Sequence, residues 1–537
     1  MGDQLRWKQA IDSGEMGKLR SRPALEQYKI GCRMDKLKKM SGSGKSLSKL
    51  IRKSGAKLKR GSPDPIVTRL VIDSRRVTPG SLFFALPGLR QDGSAFIDEA
   101  LRRGAVGVVS SEPRRFGNSK AVFVQADDPR LTLAKVARRF FGKPDKGIDL
   151  FGITGTNGKT TVSYLAKHFL SLDGVKTGCL GTIGYDLVDR VLPSFRTTPE
   201  AHELCELLSQ MRDFDCTRAV MEVSSHGIDQ LRIAELKFKV GVFLNLTRDH
   251  LDYHGDMENY FAVKRRFIHG EIGTGPKKLV LNVDDAYGRR LAEEHKEEST
   301  ITFGTSKKAR LRATDIELAP DGATFTLEWD GKRYLVNSPL IGLYNVSNTL
   351  AALSMAVLED VPVEKSIGSL NSFGGIPGRM ERVSTGQPFE VVVDYAHTGN
   401  ALENALKMLQ EITPGKVKVV FGCGGDRDRG KRAEMTKVST ELADYCWATT
   451  DNPRSEVQEQ IFDDMREGVS GDSKIEFVLD RRRAIELALK SADPGDCVLI
   501  AGKGHEPFQE YGDTVVPFDD RKVARELLES MKLGGRI

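Results

Sequence analysis

Residues 149–170 read DLFGITGTNGKTTVSYLAKHFL, and this stretch decides the fold. An apolar run of strand length comes first, a Gly-rich turn follows, and apolar residues at helical spacing close it. Strand, glycine turn and helix in that order form a phosphate-binding unit. The glycines let the backbone approach a polyphosphate, and N–H groups of the turn and the helix N-terminus cradle the anion. Gly155 and Gly158 supply the close approach, and Thr156 and Asn157 complete the turn. Lys159 is placed to reach the β- and γ-phosphates of ATP, and the Thr160 hydroxyl, with Thr161 beside it, is the expected Mg²⁺ ligand. The strict GxxxxGK(S/T) spacing fails by one residue, because Ile153 holds the first glycine position and Gly152 precedes it.

Two segments further along fit around such a loop. RAVMEVSSHGIDQLRI (218–233) places Glu222 at the end of an apolar strand, where a carboxylate can hold Mg²⁺. VGVFLNLTRDHLDYHGDMENYFAVKRRF (240–267) places Asn245, Asp249, His250 and His254 after another strand. Taken singly, each is an ordinary polar loop. Ligands of open α/β sheets gather at the carboxyl ends of strands, so behind a phosphate loop both read as parts of one site.

Outward from this centre, strands keep alternating with helices. TRLVIDSRRVTPGSLFFALPG (68–88) reads as strand, turn, strand; DEALRRGA (98–105) as helix; VGVVSS (106–111) and AVFVQA (121–126) as strands; DPRLTLAKVARRFFG (128–142) as an amphipathic helix. KPDKG (143–147) is a linker. The alternation predicts parallel, helix-covered sheets in an α/β chain of three domains. The expected spans are 63–148, 149–383 and 384–537, with no internal repeat.

The net charge of +7 belongs to the start of the chain. Residues 1–60 hold 17 Lys and Arg against 5 Asp and Glu, a local +12 that leaves −5 for the other 477 residues. A basic, Lys/Ser/Gly-rich leader over 1–62 is expected to stay loose, although KSLSKLIRKSG (45–55) could form a short basic helix. The mildly acidic body excludes a nucleic-acid partner for it. No run reaches the roughly 18 apolar residues of a membrane span, and no secretory h-region is present. Seven scattered cysteines without a CxxC pair argue against a disulfide framework or a zinc site, so a cytoplasmic protein is expected.

Nine segments in order carry a resemblance: GITGTNGKTT, EVSSHGIDQLR, NLTRDHLDYHGDMENYFAVK, GLYNVSNTLAAL, GIPGRMERV, VVDYAHTGN, VFGCGGDRDRGKR, DNPRSE and IAGKGHE. Together, from about Val67 to the C-terminus, the chain resembles the Mur ligases, closest to those that add the third residue of the peptidoglycan stem peptide. The resemblance implies a small α/β UDP-binding domain, a central ATPase-type parallel sheet domain and a Rossmann-like C-terminal domain. It implies an ATP- and Mg²⁺-dependent carbon–nitrogen ligase acting on UDP-N-acetylmuramoyl-L-alanyl-D-glutamate through an acyl phosphate, and a monomer. Charge gathers on phosphoryl and tetrahedral oxygens, so the site needs cations and fixed donors.

Residue roles follow from the same resemblance. Lys159, Glu222, His250 and Lys264 are the expected catalytic set, with Thr160, Glu222, His250 and a carbamylated Lys264 around the metal. The plain alternative for Lys264 is a surface lysine on a helix. Asn345 and Asn348 match the adenine-contacting segment, Arg379 the γ-phosphate arginine and Asp394 the ribose-binding aspartate. Ser74, Thr197, Thr198, Ser225, Gln230 and Arg232 match contacts to the UDP-sugar dipeptide, although Ser94 stands where the family usually has His. Arg427, Asp451, Asn452, Pro453, Arg454, Gly502 and Glu506 match the site for meso-diaminopimelate. An arginine fork can pair with the second carboxylate of that amino acid, which lysine lacks. Gly399 replaces the family's usual proline after the HT of DYAHTGN. The alternatives are the same reaction with L-lysine, another ligase of the Mur or folylpolyglutamate type, or a nucleotide-binding scaffold without chemistry, which the intact set of phosphate and metal residues disfavours.

Overall fold

The computed structural model describes residues 44–58, 62–88, 92–112, 120–273, 275–469, 471 and 474–533. It divides into two compact units, Ser43–Glu381 and a second containing Arg382–Ile537. Residues 1–43 of the expected loose leader lie outside the described residues. Residues 44–58 of that leader carry two short strands and, within the 45–55 stretch, a helix, in place of the loose segment expected there. Lys57–Leu58 pairs antiparallel with Val122–Gln125 at the edge of the first sheet, and the helix Leu47–Ile51 buries Leu47, Leu50 and Ile51. Its apolar residues sit at i, i+3 and i+4, so one face is greasy although the composition is basic. Burying each such side chain contributes roughly 2 kcal/mol, enough to order a short segment against an existing sheet.

That first sheet runs Lys57–Leu58, Val122–Gln125, Gly107–Ser110, Ser81–Phe84, Arg69–Val71, parallel except at the Lys57 edge. The helix Pro129–Phe140 starts where expected, with Asp128 accepting from the N–H groups of Arg130 and Leu131 and proline at the first helical position.

Eleven strands form the central sheet. Its core is parallel: Thr177–Leu180, Arg218–Glu222, Asp149–Thr154, Phe238–Phe243, Lys278–Asn282, Thr300–Gly304. The phosphate-loop strand Asp149–Thr154 lies between Arg218–Glu222 and Phe238–Phe243, so the loops after all three strands open at one edge. Both flanks of the sheet are antiparallel, a departure from the expected parallel series. On one side Gly184–Asp186 and Val191–Pro193 form a hairpin; on the other Leu311–Ala319, Gly322–Trp329 and Lys332–Ser338 form a meander. Asp330 and Gly331 both have positive φ, 50° and 72°, which is the tight hairpin turn that Asp-Gly encodes.

The second unit holds a sheet ordered Glu381–Arg382, Glu390–Asp394, Cys497–Ala501, Val417–Cys423, Tyr445–Thr450, Ile475–Val478, parallel through its last five strands. Glycine replaces proline at the start of the helix Gly399–Ile412 without loss of its cap, because the Thr398 hydroxyl accepts from the Ala401 N–H. No helix of the described residues is long and apolar enough to cross a membrane.

Candidate active site

Gly158 precedes the helix Lys159–Leu170 in the left-handed region, φ 86°, and offers no side chain to cap it. The first-turn N–H groups therefore remain available to an anion. A Cβ at Gly158 would collide with Asn348 Oδ1, and one at Gly155 would lie 2.9 Å from Leu244 Cβ. Asn348 is locked in turn: its amide donates to Asn345 Oδ1, and the Asn345 amide donates to the Ile341 carbonyl. Both asparagines thus brace the phosphate loop from behind. Gly158→Ala combines that collision with left-handed strain of about 1–2 kcal/mol, so ATP affinity is expected to fall at least about tenfold in a nucleotide titration.

Asn245 shapes the other side of the loop. Its Oδ1 accepts from the Thr156 and Asn157 N–H groups at 3.1 and 2.9 Å, and its amide donates to the Asn157 carbonyl. The Lys159 ammonium curls back to donate to the carbonyls of Gly155 and Thr156, at 2.9 and 2.8 Å. Burial lowers its pKa, and Arg379 lowers it further, against the opposing charges of Glu222 and Asp249. Arg379 is thus near enough to the phosphate lysine for its charge to be felt there.

Glu222 is 1% exposed at its strand end. Its Oε1 accepts from the Thr160 hydroxyl at 3.0 Å and the Thr182 N–H at 2.9 Å; its Oε2 accepts from the Thr182 hydroxyl at 3.0 Å. A buried carboxylate among hydroxyls is an all-oxygen donor set of the kind Mg²⁺ takes, and the residues present fit that ion. Thr182, on the hairpin side of the sheet, had no signal in the sequence.

Lys264 is 1% exposed, which rules out the surface-lysine alternative. Its ammonium donates to the Gly155 carbonyl at 3.0 Å, the oxygen that Lys159 also uses, and lies 4.7 Å from the centre of the Tyr260 ring. Burial and then the Lys159 charge push its pKa well below the usual lysine range, with Asp249 opposing. A neutral buried amine is the form that adds CO₂ to give a carbamate.

His250 has φ 53°, with Nε2 3.5 Å from Asp249 Oδ2 and its ring 5.0 Å from that of His226. No hydrogen bond of His250 reaches Glu222 or Thr160 among the described residues. His226, with His250 and His254 around it, is pushed down to about 4, first by burial and then by its two neighbours. Five of the six expected dipeptide residues cluster beside Glu222. The Thr197 hydroxyl is 3.1 Å from that of Thr182, the Thr198 hydroxyl donates to the Glu222 carbonyl, and Ser225 Oγ is 3.0 Å from His254 Nε2. Arg232 donates to the Thr198 carbonyl and to Gln230 Oε1, and its Nε stands 3.2 Å from Glu200. Ser74, on the short turn Ser74–Arg76 after the strand Arg69–Val71, donates instead to Glu99, and Arg76 of that turn stands 3.7 Å from Glu203.

His269, Glu294 and His295 also converge within 4.8 Å. Glu294 Oε2 already accepts from Arg265 and pairs with His269, so the group is an ion-paired helix end.

In the second unit the expected amino-acid residues sit at strand ends. Asn452, 2% exposed, donates to Glu506 Oε2 at 3.0 Å and accepts at Oδ1 from the Lys503 ammonium and the Glu510 N–H. Lys503 is fully buried and reaches Glu506 at 3.2 Å. The sequence reading passed over it, although it lies inside GKGHE. Glu506 has its pKa raised by burial and by Asp451, with Lys503 opposing. Gly502 lets the Asp451 carboxylate close, and its N–H donates to the Asp394 carbonyl. Arg454 and Arg427 flank Gly424; Arg427 donates to the Asp426 carbonyl, while Arg454 donates to the Gly425 carbonyl and to Glu510. The Pro453 carbonyl packs where a Cβ on Gly425 would stand. Behind these loops Arg481, fully buried with Asp520, donates to the carbonyls of Ala501 and Thr450 at two strand ends.

Three family models match the chain: Mur ligase family, catalytic domain, over residues 66–141; Mur ligase middle domain, over 153–356; and Mur ligase, glutamate ligase domain, over 378–504. A UDP-N-acetylmuramoyl-L-alanyl-D-glutamate–2,6-diaminopimelate ligase of Solibacter usitatus (strain Ellin6076) is 46% identical over 464 residues, 86% of this chain and 94% of that protein. The ligase of the same name from Gloeobacter violaceus is 41% identical, covering 91% and 99%. A solved structure with that ligase name superposes with a TM-score of 0.65 at 32% identity, covering 91% of this chain and 99% of the other.

Proposed function

The chain belongs to the Mur ligase family, and from that membership we propose that it joins meso-diaminopimelate to UDP-N-acetylmuramoyl-L-alanyl-D-glutamate in peptidoglycan precursor synthesis. It is an ATP-dependent amide ligase. The observation that carries the choice of amino acid is the loop cluster of the second unit. There, guanidinium groups of Arg454 and Arg427 stand with the carboxylates of Asp451 and Glu506. Such a set suits an amino acid bearing a carboxylate and an ammonium at its far end. L-lysine lacks the carboxylate.

In this reading the loop N–H groups and Lys159 hold the triphosphate, while Thr160, Glu222, His250 and carbamylated Lys264 hold Mg²⁺. An ion held there would supply charge neutralisation at phosphoryl oxygens; the D-glutamyl carboxylate takes the γ-phosphoryl group and ADP leaves. Arg379 adds a second cation near Lys159. Likeness to the family assigns Asn345 and Asn348 to the adenine segment, Asp394 to the ribose, and Ser74, Thr197, Thr198, Ser225, Gln230 and Arg232 to the UDP-sugar dipeptide. The incoming amine then attacks the acyl phosphate and phosphate leaves. Each of the three large sheets corresponds to one domain, the first starting near Gly44. The six described cysteines are free and buried, consistent with a cytoplasmic enzyme, and we take it to act as a monomer.

Phosphate release with ATP, Mg²⁺ and UDP-N-acetylmuramoyl-L-alanyl-D-glutamate tests this. Release that depends on meso-diaminopimelate, with a UDP-tripeptide product, is expected. Preference for L-lysine would keep the ligase and refute the substrate, and silence with both would refute the acceptor.

A further inference from the structure

We propose that Glu510 is a positioning residue for Arg454, holding its guanidinium so that the outer donors face the distal carboxylate of the incoming amino acid; this rests on the reading of the reaction above. Glu510 lies outside the DNPR and GKGHE motifs, on the strand Phe508–Tyr511 that pairs with Thr514–Pro517. Two backbone bonds and one to a side chain fix that strand against the Arg454 loop: Arg454 N–H to the Glu510 carbonyl at 3.0 Å, Gly512 N–H to the Arg454 carbonyl at 2.7 Å, and Glu510 N–H to Asn452 Oδ1 at 3.0 Å. They hold Arg454 at φ 52°, a left-handed conformation uncommon outside glycine.

The side chain is fixed on two sides. Nε donates to Glu510 Oε2 at 2.9 Å and Nη1 to the Gly425 carbonyl at 2.8 Å. A guanidinium carries five N–H donors in a rigid fork. The two Nη2 donors and the remaining Nη1 donor have no partner among the described residues, which leaves one donor on each terminal nitrogen to pair with a carboxylate. Arginine otherwise loses much rotamer freedom on binding, and a guanidinium already seated pays less of that cost per bond formed.

Charge and position pull in opposite directions here. Glu510 offsets part of the cation that attracts the substrate carboxylate, so removing its charge alone should strengthen the attraction. Both side chains are partly exposed, 23% for Arg454 and 33% for Glu510, so solvent screens that term. Positioning is therefore the larger effect.

The test compares Glu510→Ala, Glu510→Gln and Arg454→Ala with wild type in steady-state phosphate release, varying meso-diaminopimelate and, separately, L-lysine. Glutamine keeps an oxygen that can accept from Nε, so Glu510→Gln is expected to stay within about threefold of the wild-type KM. Glu510→Ala is expected to raise the KM for diaminopimelate about tenfold, the size of one lost charge-assisted hydrogen bond, with kcat and the KM for ATP unchanged. Its KM for lysine should not move, and in an Arg454→Ala background Glu510→Ala should add nothing. A diaminopimelate KM unchanged in Glu510→Ala, an equal rise for both amino acids, or an additive double variant overturns the role of Glu510 while the reaction stands. A wild-type enzyme that does not use diaminopimelate overturns the reaction and this inference together.

Discussion

Lys264→Ala lowers kcat about 10²–10³-fold, the usual cost of removing one group that stabilises transition-state charge, with the enzyme still folded. The structure places Lys159 and Lys264 on the same Gly155 carbonyl, at 2.9 and 3.0 Å, inside the fold. Two ammonium groups cannot comfortably share one acceptor there; burial first, and the Lys159 charge second, hold Lys264 well below the ordinary lysine range. Addition of CO₂ to the neutral amine, with loss of a proton, turns Lys264 into an anion and the repulsion into attraction. The sign follows: a buried lysine with a lowered pKa is neutral over more of the pH range, so carbamate forms more readily as pH rises. Kinetics of Lys264→Ala, with a carbon-13 bicarbonate signal on wild type, check this. Full activity in the variant, or no carbamate signal in an active enzyme, would remove Lys264 from the catalytic set.

Arg481→Ala destabilises the second unit by about 3–5 kcal/mol, the range for breaking a buried ion pair from one side. Arg481 and Asp520 are both fully inaccessible, with two guanidinium bonds at 2.8 and 2.7 Å. Arg481 also donates to the Ala501 carbonyl at 2.9 Å, so its loss orphans a backbone acceptor as well as a carboxylate. Those strand ends lead directly into Asp451 and Gly502, so the amino-acid site should loosen along with the fold. Denaturant unfolding of the variant measures the loss. An Arg481→Met, Asp520→Leu pair should recover most of it, since replacing both ions removes the uncompensated charge; no recovery would mean that the backbone bonds matter more than the ion pair.

Elements whose information is local were readable in the sequence. The strand, glycine turn and helix at 149–170, four of the five strands of the first sheet and the Asp128-Pro129 helix start follow from periodicity, caps and turn residues. The antiparallel meander was also encoded, in Asp330-Gly331, but a rule built on alternation passed over it. Lys264 carried a legible signal too: Tyr260, Phe261, Phe267 and Ile268 flank it at helical spacing, so it lies on the apolar face of its helix. What the sequence hid is contact between distant segments. Thr182 meets Glu222 across 40 residues, Asn245 reaches the phosphate loop across 88, and Glu510 reaches Arg454 across 56. No spacing rule connects such pairs, because sheet topology brings them together.

The short Lys57–Leu58 strand has a consequence for how the amino terminus can be trimmed. It covers one side of Val122–Gln125, whose Val122 and Val124 are buried. Cutting at residue 60 would bare that strand's row of N–H and C=O groups and the apolar bed of Leu47 and Leu50. An uncovered edge of this kind templates pairing between molecules, so loss of solubility would follow before any loss of chemistry. Trimming that stops before Gly44 keeps the edge covered.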